Sequence, residues 1–292
     1  MASTQDLSVS KLFSLQDYVC LVTGGGTGIG LMATQVLAAN GAKVYITGRR
    51  EEVLENAAKQ HSPDPKVSSG QIIPVSSDVT SKESLEELIQ DISSREKYLS
   101  LLVAAAGISG PKGVPDTGSA SQLKEKLWNA ESPEEWAATY NTDVTAVYFT
   151  TVACLPLLQA APKEHCSSAI IISSMSGMMR HSQGHFSYNA AKAATVHLSV
   201  MMSKEFADTG VRVNSIAPGY FPSEMTMKGS DDKQKSHMPD EKVQDKGHEV
   251  PAGRPGRDEE MAMAVAFLAR CGYINGEVVK LDGGVMNEVG GS

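Results

Sequence analysis

The chain has 292 residues, of which 41% are hydrophobic and 21% are charged. These fractions are typical of a globular protein with a buried core and exclude a chain that is disordered throughout. The 26 basic and 34 acidic residues give a net charge of −8, and Lys and Arg form no dense block that would follow a nucleic-acid backbone. The composition therefore argues against a nucleic-acid partner.

Three features bear on the cellular location. The longest nearly apolar stretch, residues 99–108, is about half of the roughly 20 residues that a membrane-spanning helix needs. The first residues, Met1 to Asp6, lack the basic and then apolar pattern of a signal peptide. The cysteines are scattered without the spacing of metal ligands, at Cys20, Cys154, Cys166 and Cys271. We expect a cytoplasmic protein with reduced thiols, no membrane partner and no metal.

Seven short apolar segments alternate with segments of helical periodicity. The predicted strands are residues 18–22, 43–47, 71–75, 101–106, 169–173, 211–216 and 277–281. The predicted helices start at Gly28, at Glu51, after Thr80 and after Ser132, and cover residues 188–207 and 258–270. Because such strands are buried between helices, they favour right-handed crossovers. The sequence predicts a doubly wound α/β fold of the Rossmann type, a mainly parallel seven-stranded sheet with helices on both faces.

Two of the predicted helices begin with capping signals. Thr80 is followed three residues later by Glu83, which predicts a capping box. Ser132, Pro133 and Glu135 combine an N-cap, a proline at the first helical position and a capping carboxylate ahead of a helix that runs toward Leu158. These signals fix where the two helices start.

We expect one domain over residues 1–292, because the sequence contains no Pro/Gly/Ser-rich linker and no internal repeat. Two polar segments, residues 109–131 and 228–248, interrupt the alternation. Both follow predicted strands, at the sheet edge where open α/β sheets bind ligands. They are solvated surface loops or substrate-side lids, and residues 228–248 are rich in Lys, Asp and Glu, which favours a mobile lid with little apolar surface to dock.

A glycine-rich loop joins the first predicted strand to the first helix, from Thr23 to Gly30. Backbone N–H groups and the N-terminus of a helix in this position hold a pyrophosphate, and glycines allow the close approach. The alternative is a purely structural turn.

The second predicted strand ends in Thr47-Gly48-Arg49-Arg50, where a carboxylate would bind the ribose of NAD. Arg49 instead suits a 2′-phosphate and predicts NADP(H), unless it is only a solvated residue at a helix start.

Tyr188 and Lys192 lie four residues apart, on one face of a predicted helix. An ammonium about 4 Å from a phenol favours the phenolate by about three pKa units, which makes the tyrosine a usable proton donor. The spacing alone is weak evidence, because it arises by chance in many chains. Ser174 follows the fifth predicted strand, so its hydroxyl emerges at the ligand edge of the sheet, within reach of the same substrate oxygen.

Taken together, these motifs resemble the classical short-chain dehydrogenase/reductase family over essentially the whole chain. The resemblance includes Thr23 to Gly30, Asp78-Val79, Ser174, Tyr188, Lys192, Pro218-Gly219 and Asp282-Gly283-Gly284 in this order. It implies that Tyr188 is the general acid in reduction, that Ser174 orients the carbonyl, and that Lys192 binds the nicotinamide ribose and lowers the pKa of the tyrosine. It also implies a homo-oligomer, a tetramer or a dimer.

The same resemblance implies a set of coenzyme-binding residues. They are Gly24, Thr27, Gly28, Ile29, Gly30, Arg49, Asp78, Val79, Ala105, Gly107, Tyr188, Lys192, Pro218, Gly219 and Ser223. Within this set, Ser223 stands where a hydroxyl commonly contacts the carboxamide of the nicotinamide.

Three departures from the family pattern surround this site. Ala104-Ala105-Ala106-Gly107 replaces the usual Asn-Asn-Ala-Gly, which removes side-chain hydrogen bonds but keeps the backbone. Asp143 aligns with the Asn of the proton relay, with Asn141 two residues earlier. The resemblance implies that the main-chain carbonyl at this position holds the relay water, so Asp143 is counted among the candidate catalytic residues, and its carboxylate either supports the relay or impairs it. The insertion after Gly107 is also longer than usual.

Apolar side chains flank the Ser/Tyr segment and the Pro-Gly loop, namely Met178, Met179, Phe186, Tyr220, Phe221, Met225 and Met227. They form an adaptable lipophilic pocket or belong to ordinary core and oligomer packing. His181 and His185 are interpreted as structural or pocket groups rather than catalysts.

The main hypothesis is an NADPH-dependent reductase of a bulky, apolar carbonyl compound, such as a lipid-like or natural-product intermediate of secondary metabolism. The alternatives are an isomerase or cyclase that retains NADP, and a catalytically silent NADP-binding regulatory protein. The intact Ser174, Tyr188 and Lys192 argue against the silent protein.

Overall fold

A computed structural model describes residues 2–115, 118–244 and 249–289. The strands form one sheet in the order β3-β2-β1-β4-β5-β6-β7, and every neighbouring pair is parallel. The strands are β1 Val19–Thr23, β2 Lys43–Gly48, β3 Gln71–Ser76, β4 Leu101–Ala104, β5 Ser168–Ile172, β6 Arg212–Pro218 and β7 Val278–Leu281. The predicted seven-stranded Rossmann-type sheet is confirmed, and within the described ranges it is entirely parallel.

Helices connect the strands. The α-helices are α1 Val9–Leu12, α2 Gly28–Ala39, α3 Glu51–His61, α4 Lys82–Arg95, α5 Ala120–Ala130, α6 Pro133–Tyr140, α7 Ala146–Gln159, α8 Phe186–Glu205, α9 Glu224–Met227, α10 Glu241–Gln244, α11 Asp258–Arg270 and α12 Val285–Glu288. Short 3₁₀ helices cover Thr4–Leu7, Lys163–His165, Met175–Gly177 and Ala207–Thr209, and Asn141–Thr145 is a π-helical turn between α6 and α7.

The core occupies both faces of the sheet, because successive side chains of a strand point to opposite sides. Val22 of β1 belongs to the cluster that also contains residues of α2 and α11. Its neighbour Leu21 belongs to the cluster that contains residues of α4 and α7. The strand order reverses between β1 and β4, so the crevice at their carboxyl ends is where a doubly wound sheet binds ligands.

Local differences from the sequence predictions are informative. The N-cap of α4 is Ser81, which accepts a hydrogen bond from the Ser84 N–H, so the predicted capping box at Thr80 is wrong; the Thr80 hydroxyl donates to Asp78 instead. The capping box of Ser132 with Glu135 is confirmed. Strand β4 ends at Ala104, two residues earlier than predicted, because the next two N–H groups donate to a side chain. The insertion after β4 is not only loop, since it contains α5.

Candidate active site

The glycine-rich loop after β1 brings two segments of backbone together. Gly24 has a φ of +65°, and its N–H donates to the Thr47 carbonyl at the end of β2 over 2.8 Å. A Cβ on Gly30 would lie 2.1 Å from the Gly24 carbonyl oxygen, which no side chain tolerates. Thr27, the N-cap of α2, accepts no side-chain capping hydrogen bond. The first turn of α2 therefore presents its N–H groups at the sheet edge, as binding an anion requires.

A cavity of about 280 Å³ opens next to this loop. Seven of the predicted coenzyme-binding residues line it: Gly24, Thr27, Arg49, Asp78, Val79, Ala105 and Gly107. Gly28, Ile29 and Gly30 lie in the first turn of α2 beside it. Ser223 lies against that turn, because a Cβ on Gly28 would be 2.9 Å from Ser223 Cβ. Pro218 ends β6, and the Gly219 N–H donates to the Leu281 carbonyl of β7 over 2.9 Å.

Two arginines stand at the end of this cavity with different surroundings. Arg49 is exposed, and its charge contributes to the lowered pKa of Asp78, which falls mainly because Thr80 donates hydrogen bonds to that carboxylate. Arg50 forms an ion pair with Glu224, with Nη2 2.7 Å from Oε2. Both arginines line the cavity. Among the described residues Arg49 forms no ion pair, whereas Arg50 is engaged with Glu224 of α9.

The backbone after β4 is held by a hydroxyl. The N–H groups of Ala105 and Ala106 both donate to Thr23 Oγ1, each over 3.1 Å. This contact fixes the chain beside the cavity without any side chain from the Ala-Ala-Ala-Gly segment. The departure from Asn-Asn-Ala-Gly therefore leaves the local backbone supported.

Tyr188, Ser174 and Lys192 meet at the carboxyl edge of β5. Ser174 follows β5 and caps the 3₁₀ helix Met175–Gly177, and its hydroxyl accepts a hydrogen bond from the Ser176 N–H at 3.1 Å. Lys192, only 4% exposed, donates from Nζ to the Ile172 carbonyl over 3.2 Å. Its Nζ lies 5.6 Å from the centroid of the Tyr188 ring. The helical spacing of the tyrosine and lysine thus places the ammonium beside the phenol.

The surroundings of Tyr188 act on its pKa in opposite directions. Burial raises the pKa most, and the charge of Asp143 adds to this rise. The ammonium of Lys192 and a hydrogen bond from the Ser174 side chain lower it. The sequence argument considered only the lysine, so it overestimated how far the phenol of the free protein is acidified; here the pKa of Tyr188 lies above its ordinary value.

Asp143 lies in the π-helical turn before α7, completely buried. Its Oδ1 accepts a hydrogen bond from the Ile108 N–H at 2.9 Å, and its Oδ2 lies 3.8 Å from Lys192 Nζ. Burial raises the pKa of this carboxyl, and Lys192 opposes the rise. The main-chain carbonyl of Asp143, predicted to hold a relay water, accepts a hydrogen bond from Thr195 Oγ1 at 2.7 Å.

Comparison with known proteins agrees with this arrangement. A family model described as short chain dehydrogenase matches residues 18–234. The chain belongs to the short-chain dehydrogenase/reductase family. It is 39% identical to the short-chain dehydrogenase/reductase PhomF of Diaporthe leptostromiformis, over 97% of this chain and 96% of that protein. It is 32% identical to the 3-oxoacyl-[acyl-carrier-protein] reductase FabG of Chlamydia muridarum, over 93% and 98% of the two chains.

A solved structure has the same fold. The complex of Pseudomonas aeruginosa RhlG with NADP superimposes with a TM-score of 0.77 at 30% identity, and covers 94% of this chain and 98% of that one. In the described part of this family member, no helix is both long and apolar enough to cross a membrane. Nor do three or more His, Cys, Asp or Glu side chains of the described residues gather into a metal site.

The apolar residues predicted to form one pocket are divided among several places. Met179, Tyr220 and Met227 pack against a methionine-rich cluster that contains Met175 and Met238. Phe221 is buried in the main core, and Met225 lines the coenzyme cavity. Phe186 is half exposed and is the first residue of α8. Met178 lies in the loop before this helix. In the described residues, these side chains are therefore distributed among the methionine-rich cluster, the main core, the coenzyme cavity and the start of α8.

A second cavity of about 450 Å³ lies along β7 and α11. Tyr220 and Phe221 contribute to its lining, together with Met263, Phe267 and the Arg254–Glu260 ion pair. None of the predicted catalytic residues lines it. We therefore centre the candidate active site on Tyr188 rather than on the larger cavity.

The segment that follows β6 docks on α3 and α11. The carbonyls of Asp232 and Lys233 face Asn56 Nδ2 at 2.9 Å and His61 Nε2 at 2.7 Å, both on α3. Lys235 Nζ donates to Asp258 of α11. Met238 and Val243 join the methionine-rich cluster, so the expectation of little apolar docking surface is wrong for this part of the segment. The remainder of the predicted lid, residues 245–248, lies outside the described residues.

Glu224 is a site residue that the sequence did not single out. Besides Arg50, its carboxylate accepts hydrogen bonds from Ser230 Oγ at 3.0 Å and from Thr27 Oγ1 at 3.5 Å. These contacts lower the pKa of the carboxyl, with Arg50 the largest cause. The pair joins residues 174 positions apart, so no local pattern announces it; its only signal is the position of Glu224 next to the predicted Ser223.

Proposed function

We propose that this protein is an NADPH-dependent carbonyl reductase. The observation that carries the proposal is the meeting of Tyr188, Ser174 and Lys192 at the sheet edge that also holds the glycine-rich loop and Arg49. A proton donor, a hydroxyl and a coenzyme-sized crevice on one edge are what carbonyl reduction requires.

In this proposal the residues of the chain perform the proton chemistry. Tyr188 donates its hydroxyl proton to the oxygen of the substrate carbonyl, and Ser174 hydrogen-bonds the same oxygen and orients it. Lys192 holds the ribose of the nicotinamide and stabilises the phenolate that remains. Asp143 lies behind Lys192, with Oδ2 3.8 Å from Nζ. In this proposal its main-chain carbonyl, which also accepts a hydrogen bond from Thr195, holds the water through which the proton of Tyr188 is replaced. The bound coenzyme supplies the hydride.

The residues around the cavity fit a dinucleotide. Gly24 and Gly30 bring their backbones close together, which no side chain at Gly30 would allow. This leaves the N-terminus of α2 open to a pyrophosphate. Asp78 and Val79 stand at the proposed adenine end of the cavity, and Ala105 and Gly107 line it after β4. Pro218 and Gly219 lie at the end of β6, and Ser223 lies against the first turn of α2. Arg49, exposed immediately after β2, would meet a 2′-phosphate and so supports NADP(H) over NAD(H).

The substrate proposed for this site is a bulky, apolar ketone, of a lipid-like or natural-product kind. The apolar residues that flank Ser174 and Tyr188 in the sequence, among them Met178, Met179 and Phe186, support this, because methionine adapts to irregular apolar shapes. The same proposal places the enzyme in secondary metabolism and in the cytoplasm, as a homo-oligomeric dimer or tetramer; sedimentation of the purified protein measures its assembly.

The deciding experiment follows the absorbance of NADPH and of NADH with a panel of bulky ketones. Consumption of NADPH that depends on the ketone, with the alcohol as product, supports the proposal. Conversion of a compound without net consumption of NADPH indicates an isomerase or cyclase. Tight binding of NADP without conversion of any compound indicates a regulatory protein.

A further inference from the structure

A buried carboxylate lies behind the proposed proton donor. Asp143 has none of its surface exposed, yet its Oδ2 has no hydrogen-bond partner among the described residues. That oxygen is 3.8 Å from Lys192 Nζ. A fully buried carboxylate is costly unless it is paired, so the ammonium is the group that makes this position tolerable.

The orientation of the carboxylate is fixed from the other side. Oδ1 accepts the Ile108 N–H at 2.9 Å, and a Cβ on Gly107 would come within 3.0 Å of the same oxygen. An Asn at position 143 would also have to place its oxygen toward Ile108, because only the oxygen accepts. Its NH₂ group would then point at the Lys192 ammonium, so that two hydrogen-bond donors would face each other without an acceptor. The site is therefore built for a carboxylate facing the lysine.

The charge of Asp143 reaches the phenol as well as the lysine. Lys192 Nζ lies 5.6 Å from the Tyr188 ring centroid and 3.8 Å from Asp143 Oδ2, so the three groups form one compact unit. A positive charge beside a phenol favours the phenolate and a negative charge opposes it. The carboxylate thus counteracts part of the effect that the lysine has on Tyr188.

We propose that Asp143 is a positioning residue which, by partly offsetting the charge of Lys192, keeps the Tyr188 hydroxyl protonated to higher pH. This proposal rests on the proposed function, in which Tyr188 donates the proton. Reduction needs the protonated phenol, whereas the reverse oxidation needs the phenolate. The carboxylate consequently extends the pH range of reduction upward and moves the onset of alcohol oxidation to higher pH.

The other groups near the phenol do not mimic this effect. Its own helix contributes Lys192, the π-helical turn contributes Asp143, and the segment after β5 contributes the uncharged Ser174. His181 and His185 lie in the loop before α8. Phenolate absorbance, unlike an activity profile, reports on Tyr188 itself and not on the lysine or these histidines.

The test compares Asp143→Asn with Asn141→Asp, which adds a carboxylate to the same π-helical turn at an exposed position. Phenolate absorbance is titrated without coenzyme, and Tyr188 is isolated by subtracting the Tyr188→Phe counterpart of each protein. We expect the midpoint to fall by about one unit in Asp143→Asn. In Asn141→Asp it should stay within about 0.2 units, because solvent screens an exposed charge.

The activity profiles should move with the titration. In Asp143→Asn, the alkaline limb of reduction and the acid limb of oxidation both shift to lower pH by the same amount. A midpoint that is unchanged or higher overturns the proposal. If Asp143→Asn does not fold, Asp143→Ser, which keeps an oxygen acceptor and removes the charge, takes its place. Full reductase activity of the Tyr188→Phe variant would refute the proposed function. The phenolate titration would still measure the effect of Asp143 on Tyr188.

Discussion

The coenzyme side and the substrate side of the sheet edge are built by different means. On the coenzyme side, backbone contacts position the site: Gly24 donates to Thr47, and Thr23 accepts from Ala105 and Ala106. On the substrate side, long segments follow β4 and β6, and helix α5 has no buried residue. The first side rests on hydrogen bonds to the backbone where β1, β2 and β4 end, whereas the second depends on side chains that meet across the fold. The comparison predicts the largest effect of mutation at the proposed proton donor, a smaller effect on the coenzyme side, and small, graded effects on the substrate side.

The largest expected effect is that of Tyr188→Phe. Removal of the hydroxyl removes the proposed proton donor, so kcat for carbonyl reduction should fall by about two to four orders of magnitude. The Kd for NADPH, measured by fluorescence, should change little, because Lys192 and its hydrogen bond to Ile172 remain. Tyr140→Phe, at an exposed tyrosine, is the matched control and should keep full activity. Near-normal turnover by Tyr188→Phe would favour the isomerase or cyclase.

A smaller effect is expected at the end of β2, on the coenzyme side. Charge-assisted hydrogen bonds contribute about 1.5 to 3 kcal/mol each, so loss of Arg49 should weaken the preference for NADPH by about 10- to 100-fold. Gly48→Asp with Arg49→Leu should therefore shift the ratio of kcat/KM values toward NADH. Arg50→Leu is the control, because Arg50 is paired with Glu224 and should affect the preference less. Equal kcat/KM values for both coenzymes in the unaltered enzyme would contradict the assignment of Arg49.

The sequence predicted much of the fold because its signals are local. Alternating apolar runs and helices gave all seven strands, with differences of one or two residues at their ends. The spacing from Tyr188 to Lys192 and the glycines from Gly24 to Gly30 likewise work within one helix or one turn. Such a local signal can be interpreted without knowledge of the tertiary structure, because the geometry of one helix or one turn already brings the residues together.

What the sequence missed depends on contacts between distant residues. The ion pair of Arg50 with Glu224 and the docking of Lys233 on His61 join segments that only the finished fold brings together. The pKa of Tyr188 was misjudged for the same reason, because neither its burial nor the proximity of Asp143 can be read from the spacing to Lys192. Thr195, which donates to the carbonyl of Asp143, was missed because the position of a residue within a helix does not show which other segment of the chain its side chain will contact.

The smallest effect is expected for the segment after β6, and it tests whether the substrate side is held by many weak contacts. The Arg50–Glu224 pair spans 2.7 Å, but the two side chains are 55% and 29% exposed, so the pair contributes about 0.2 to 1 kcal/mol. Glu224→Gln should therefore speed amide hydrogen exchange in residues 228–236 by no more than about fivefold. The bonds from Asn56 and His61 should still hold the segment.

Asp91→Asn breaks an ion pair of the same length on α4 and should leave exchange in residues 228–236 unchanged. Addition of NADP and substrate should slow exchange in this segment if it closes over the ligands. Exchange that is equally slow with and without them would contradict a lid. If Glu224→Gln speeds amide hydrogen exchange in residues 228–236 by far more than fivefold, one ion pair, and not a set of weak contacts, holds the segment to α3. The two sides of the sheet edge would then differ less than proposed.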